Sequence, residues 1–315
     1  MISKKANIAV IGAGKIAYSL VNALVKNNYK VKLIISNNFK SAQNLAKRFS
    51  IRNFSDSITN LNSSTTVIFF SVPDNQIKVA ADKIANLKSN VRNSLFVHLS
   101  GAENISKLNS LNKAGALTAS FHIMQTFPSK KIVKIENCYA SIETENKSAE
   151  KFLFNLAENL KLKPFKLSSN DKIRYHLAGV FASNFLVGNI FNSERIFDIR
   201  KNKINYDNFD FLSPIIRSTI NNIDKLGSSR ALSGPIERGD LVTVKKHISA
   251  LKRKSNNDEL DYFFLSYVIQ SLNLLNVVES KYSKLNNAHK ELKKYLLEEF
   301  RKKYLLRNSN ASDSY

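Results

Sequence analysis

The chain has 315 residues, a formal net charge of +23 and one cysteine, Cys138. Such a length exceeds one small domain and suits two, and a hydrophobic fraction of 43% is enough for an ordinary core. A single cysteine excludes an internal disulfide and a cysteine-based zinc site, and it points to a reducing compartment. The apolar run that begins at residue 6 is interrupted by Gly12, Gly14 and Lys15, which does not fit a secretion signal. No stretch approaches the ~18 uncharged apolar residues of a membrane span. A cytoplasmic protein with no membrane partner and no metal site is therefore expected.

Residues 6–11 read as a short buried strand, followed by a glycine turn and a helix over 16–26. Further strands are predicted at 31–35, 66–71, 95–98, 117–121 and 139–143, and helices at 40–49, 75–87, 106–112 and 149–160. Strands alternating with helices imply a mostly parallel, doubly wound sheet covered on both faces. Beyond residue 168 the strand signals fade. Helical spacing takes over at 171–196, 211–226, 241–252, 258–281 and 285–304. The expected architecture is an α/β Rossmann domain over 1–168 followed by an all-helical domain over 169–315 that serves substrate binding and dimerisation.

The turn Gly12-Ala13-Gly14-Lys15-Ile16-Ala17 carries the first functional signal. It follows a hydrophobic strand and opens a helix, the context that a dinucleotide site needs. Gly12 allows the tight turn, Gly14 leaves room for the pyrophosphate, and Ala17 lets helix and strand pack closely. The helix start then offers free N–H groups to phosphate oxygens. NAD-specific domains place an acid at the end of the second strand. Here that place holds Ser36 and Asn37, with Lys40 following, so a 2′-phosphate meets a hydroxyl, an amide and an ammonium. The expected cofactor is NADP(H), with NAD less favoured. Val72-Pro73 and Ser100-Gly101 end two later strands on the same rim and are expected beside the cofactor; ordinary strand-to-helix turns, with Asp74 as a helix cap, are the equal alternative. His122 lies just past a third predicted strand end.

The basic charge raises the possibility of a nucleic-acid partner. The lysines are dispersed among asparagines and do not cluster with aromatics, which disfavours that partner and leaves only the lysine-rich segment 285–304 to motivate it. A basic surface also attracts small anions.

In the helical half, the helix from Ile173 carries His176, Ser183 and Asn184 among small residues. His176 and Ser183 are seven residues apart and share one side of an α-helix, with Asn184 adjoining. Arg238 sits in a glycine-flanked loop within Leu232-Ser233-Gly234-Pro235-Ile236-Glu237-Arg238-Gly239-Asp240, where it suits a carboxylate, and Asp240 suits the cap of the next helix. Pairing of Arg238 with Asp240 or Glu237 is the alternative.

SVPD at 71–74, HLSGA at 98–102, FHIMQTFP at 121–128, YHLAGVFASNFLV at 175–187 and LSGPIERGD at 232–240 follow the glycine turn in order. With these motifs the chain resembles the Rossmann-like proteins whose C-terminal half is domain-of-unknown-function family 2520. These are distant relatives of ketopantoate reductases, 6-phosphogluconate dehydrogenases and similar oxidoreductases. The resemblance implies a helical second domain through which the protein forms a homodimer. In the better-known relatives a lysine and an asparagine on the first long helix of the second domain flank the substrate. The helix from Ile173 offers His176 and Asn184 and no equivalent lysine, and His176 can take over proton transfer. The expected function is NADP(H)-dependent reduction of a small, carboxylate-bearing oxo or imino acid, with ketopantoate the first substrate by analogy. His176, Asn184, Arg238 and Asp240 are the expected catalytic set. A non-catalytic NADP(H) sensor is the alternative, motivated by the missing lysine.

Overall fold

The computed structural model describes residues 6–61, 64–87, 91–92, 94–197, 207–252 and 258–304. The chain divides into two compact units, Met1–Leu186 and Val187–Tyr315.

The first unit is built on one eight-stranded sheet. Its strands are β1 (Asn7–Ile11), β2 (Lys30–Ile35), β3 (Asn53–Ser55), β4 (Val67–Phe70), β5 (Leu95–His98), β6 (Leu117–Ile123), β7 (Tyr139–Glu143) and β8 (Lys163–Lys166). They lie in the order β3-β2-β1-β4-β5-β6-β7-β8. All pairs are parallel except β6 with β7. The helices are α1 (Lys15–Lys26), α2 (Phe39–Arg48), α3 (Asp74–Ala85), α4 (Asn109–Lys113), α5 (Lys147–Asn159) and α6 (Lys172–Gly179). β4 and β5 are buried along their whole length, because helices cover both faces of the central sheet. One face packs Val10, Val97, Phe121 and Ile142 against α1 and α5, and the other packs Ile11, Ile35 and Phe70 against α3 and α4.

Two strands escape the sequence pattern. β3 and β8 have three and four residues and form the two edges of the sheet. Edge strands need no continuous apolar run and tolerate residues such as Asn53, Lys163 and Pro164. The helix expected at 106–112 is a 3₁₀ turn, Ile105–Leu108, followed by the short α4. β6 runs on to Ile123, so His122 lies inside the strand and not beyond its end.

The second unit is helical. A π-wound segment, Val180–Asn184, leads from α6 into α7 (Phe185–Ile196), which crosses the unit boundary. Then come α8 (Asn208–Leu226), α9 (Ser228–Ala231), α10 (Pro235–Arg238), α11 (Leu241–Lys252), α12 (Asp258–Tyr282) and α13 (Asn287–Tyr304). Its core is Ile236, Val244, Ile248, Phe264, Val268, Leu275, Leu292 and Leu296, which join α10 to α13. None of the described helices is long and apolar enough to cross a membrane.

Gly12 takes φ +104°, and a Cβ there would lie 2.1 Å from the carbonyl oxygen of Ser71. Both the dihedral and the contact require glycine. Gly12→Ala is expected to destabilise the protein by about 1–3 kcal/mol, read as a fall of several degrees in Tm in thermal unfolding.

Candidate functional site

The glycine turn lies at the carboxyl rim of β1, β2 and β4. The Gly12 N–H donates to the Ile35 carbonyl at 2.6 Å, tying the end of β1 to β2. Val72 closes on Gly12 from the end of β4. Gly14 caps α1 in an extended conformation, with no side chain bonded to the first N–H groups of the helix. Those donors therefore face the turn, where an anion can use them. Ala13 and Ala17 are buried, Ile16 is half-buried, and Lys15 is exposed beside the turn. Ser36 is half-buried at the end of β2, while Asn37 and Lys40 are exposed. Asn38 caps α2 by accepting from the Ser41 N–H at 2.8 Å.

Pro73, not Asp74, is the cap residue of α3, and Asp74 is its first helical residue. Proline's fixed φ suits this entry, and the missing proline N–H is no loss there. The Ser100 hydroxyl accepts from the N–H groups of Ala102 and Glu103 at 3.2 and 3.0 Å, so it shapes the turn after β5. Gly101 is buried against His122, where a Cβ would lie 2.8 Å from Nε2.

Next to this rim the sheet presents a buried polar face. Register places His98, Ser120 and Glu143 side by side across β5, β6 and β7, and His122 beside Ser141. Side chains alternate along a strand, so Ser120 and His122 share one face with Ser141 and Glu143, while Phe121 and Ile142 point into the apolar core. Helix α6 covers this face. Lys172, its first residue, donates to Ser120 Oγ and to Glu143 Oε2, the latter at 3.0 Å, and its side chain is only 2% exposed. Glu143 Oε1 also accepts from Ser169 Oγ at 2.5 Å and from the Ile105 N–H at 3.2 Å. One turn further on, Tyr175 Oη is 2.9 Å from His122 Nδ1, and its ring packs on Phe165 of β8. The His176 ring meets that of His122 at a centroid distance of 6.5 Å.

Helix α6 does contain a lysine, Lys172, four residues before His176. Its place differs from that of a cleft-lining donor, because its ammonium is buried in an ion pair. The signal that could have revealed the cluster is the two-residue spacing of polar groups in otherwise apolar strands, Ser120 with His122 and Ser141 with Glu143.

Burial dominates the electrostatics. It pushes His98 down to about 3 and His122 down to about 4, and in both the positive charge of Lys172 is the next cause. Burial also lowers the pKa of Lys172, opposed by Glu143, and raises that of Tyr175.

The π winding of Val180–Asn184 adds about one residue to a helical turn, so Ser183 and Asn184 no longer hold the α-helical phase expected relative to His176. His176 is half-buried and Asn184 exposed. Arg238 and Asp240 belong to the second unit. Arg238 is the last residue of α10, so the expected loop is a short helix there. Pro235 at the first helical position and the left-handed Gly239 after the last explain how four residues form it. The Arg238 side chain is 60% exposed and reaches Asp240 at 4.0 Å. Asp240 caps α11 as expected, accepting from the Thr243 N–H at 3.0 Å, and Thr243 holds its pKa down. Glu237 is engaged by Lys281 at 2.9 Å and by Tyr282. Among the described residues no cluster of His, Cys, Asp and Glu could hold a metal ion.

The two depressed histidines carry a stability consequence. From an ordinary value of 6.5, His98 and His122 bind protons in the unfolded chain before they do so in the folded one. Their contribution is complete above about pH 6.5 and is lost as pH falls towards their folded values. Urea unfolding at successive pH values is expected to show stability falling between pH 6.5 and 4, by about 1.4 kcal/mol per pH unit for each histidine.

Residues 7–97 match the family model described as NADP oxidoreductase, coenzyme F420-dependent, and residues 138–265 match the domain of unknown function DUF2520. No curated protein matches the chain in sequence. Among solved structures, a Bacteroides fragilis protein described as an NADP oxidoreductase is similar at a TM-score of 0.71 and 22% identity, covering 86% of this chain and 98% of its own. A Thermotoga maritima protein is similar at 0.65 and 25% identity, covering 87% and 99%. A reductive aminase of Aspergillus terreus, solved with NADPH and ethyl levulinate, is similar at 0.60 and 12% identity, covering 94% and 100%. The first half of the chain is thus similar to the coenzyme F420-dependent NADP oxidoreductase model and residues 138–265 to the DUF2520 model, and the chain shares its fold with the Bacteroides fragilis protein.

Proposed function

We propose that the protein is an NADP(H)-dependent reductase of a small, carboxylate-bearing oxo or imino acid. The observation that carries this reading is the turn between β1 and α1. Gly12 and Gly14 leave a cradle that side chains would fill, and the uncapped start of α1 directs its N–H groups there. At the end of β2, Ser36, Asn37 and Lys40 suit a 2′-phosphate, since residues 36–40 contain no acid to repel it. Val72, Pro73, Ser100 and Gly101 supply the neighbouring strand ends. The family description of residues 7–97 and the NADPH of the Aspergillus terreus relative support the same cofactor.

When bound, NADPH supplies a hydride to a carbonyl or imine carbon. The chain's own part is to hold the substrate and to manage one proton. His176, half-buried beside His122, holds the proton for the developing alkoxide or amine. Asn184 orients the reacting group, and Arg238, largely free of Asp240, binds a carboxylate. Asp240 fixes the start of α11 behind Arg238. The relatives include a reductive aminase, which favours imino as well as oxo acids as candidates, with ketopantoate the first oxo acid to assay.

Thermal unfolding with matched NADP(H) and NAD(H) is expected to show a larger rise in Tm with NADP(H). NADPH oxidation across a panel of oxo acids, with and without amines, is then expected to find turnover, and His176→Ala to lower kcat on the order of 10²–10⁴-fold. No rise in Tm with either cofactor overturns the reading.

We also propose that the active form is a homodimer through the helical half. Within the second unit Phe191 of α7 and Ile215 and Ile220 of α8 are exposed apolar side chains, which a second copy would cover. Light scattering is expected to give a dimer mass for the wild type and a shift towards monomer for Ile215→Lys.

A further inference from the structure

In the second unit the backbone around Arg238 is held from several sides. Lys281 of α12 donates to the Leu232 carbonyl at 3.1 Å and to Glu237 Oε1 at 2.9 Å, and Tyr282 Oη donates to the same carboxylate oxygen. His289 Nε2 donates to the Glu237 carbonyl at 2.9 Å. Gly239, at φ +70°, lets α10 approach α13 so closely that a Cβ there would lie 2.9 Å from that of Ala288. Asp240 accepts from the Thr243 N–H at 3.0 Å and from Thr243 Oγ1 at 2.7 Å. Between these anchored neighbours the Arg238 side chain is largely exposed and meets Asp240 only at 4.0 Å. A cavity of about 500 Å³ opens beside it, lined by Glu237, Arg238, Tyr282, Lys284, Asn286 and His289. A rigid support under a loosely engaged cation is the arrangement that a binding site needs.

We propose that this cavity holds a short-chain dicarboxylate, with one carboxylate on the Arg238 guanidinium and the other on the Lys284 ammonium, so that the substrate is a dicarboxylic oxo or imino acid. This rests on the reading of the protein as a reductase with Arg238 as its carboxylate partner. The cavity presents donors, and its acid is already engaged. Glu237 is taken up by Tyr282 and Lys281, which hold its carboxyl below the usual carboxylate range. Asn286 accepts the His289 N–H with its Oδ1 at 3.0 Å, which leaves its NH₂ group as a donor. Lys284 is exposed in the turn between α12 and α13. A guanidinium fork matches the two oxygens of a carboxylate, and an ammonium takes another as a point charge. Each exposed cation alone binds an anion weakly, but a single ligand that reaches both gains from the second contact without a second loss of free motion. The two cations come from different elements, and the cavity is larger than a bare anion fills. Two carboxylates on a short chain therefore fit it better than one compact phosphate. A monocarboxylate such as ketopantoate leaves Lys284 unused.

The test is calorimetric titration of the full chain, with and without NADP⁺, using 2-oxoglutarate and 2-oxovalerate, which share a chain length and differ in the second carboxylate. The wild type is expected to bind 2-oxoglutarate about tenfold more tightly, the worth of one charged hydrogen bond. In Lys284→Met the ratio of the two affinities is expected to fall towards unity, and Lys284→Arg, which keeps the charge, is expected to retain the preference. Arg238→Met is expected to weaken both acids, by about tenfold. Equal affinities in the wild type, a preference that survives Lys284→Met, or binding of neither acid overturns the proposal. Tighter binding of inorganic phosphate than of 2-oxoglutarate overturns it as well. The titration without cofactor reads the cavity alone, so failure of the reductase reading would appear separately, as absent NADPH binding and oxidation.

Discussion

The buried Lys172–Glu143 pair ties the first helix beyond the sheet to the sheet itself. Two opposite charges with so little exposure hold together only when each is fully hydrogen-bonded, because their desolvation is otherwise uncompensated. Here Glu143 takes three donors, and Lys172 gives to both Glu143 and Ser120. The result fixes the start of α6, and with it the height and rotation at which Tyr175 and His176 meet His122. The antiparallel turn of the sheet at β7 is what sets Glu143 directly beside Ser120. Removal of either charge would leave the other stranded, so the pair is better understood as a fastening with a narrow geometry than as a large net source of stability.

Much of the architecture was legible in the residue pattern because the pattern has a physical period. Buried parallel strands such as Val67–Phe70 read as short apolar runs, and the glycine turn has few alternatives once it sits between a strand and a helix. The long helices of the second half showed the same regularity. Edge strands β3 and β8 were hidden because their pairing, not their composition, makes them strands. The four-residue α10 was hidden because glycine and proline usually signal a loop, yet at its two ends they act as helix start and stop signals.

The chemistry was less legible than the fold. His176, Arg238 and Asp240 could be singled out from local motifs. The neighbours of His122 come from α6, β5 and β7, and no local motif joins Lys172 to Glu143 across 29 residues. The shared side of His176, Ser183 and Asn184 holds only for an unbroken α-helix. A π segment cannot be read from spacing alone, since spacing is what it alters.

The alternation along β6 and β7 links this chemistry to correct folding. Phe121 and Ile142 belong to the core because His122, Ser141 and Glu143, their neighbours in sequence, belong to the site. A strand that slipped by one residue would bury a histidine and a carboxylate among aliphatic side chains and turn a phenylalanine towards Lys172. Any such misaligned state loses its apolar packing and its ion pair together. The polar face thus works as a proofreading element for the sheet, rejecting the wrong alignment by the same contacts that assemble the right one.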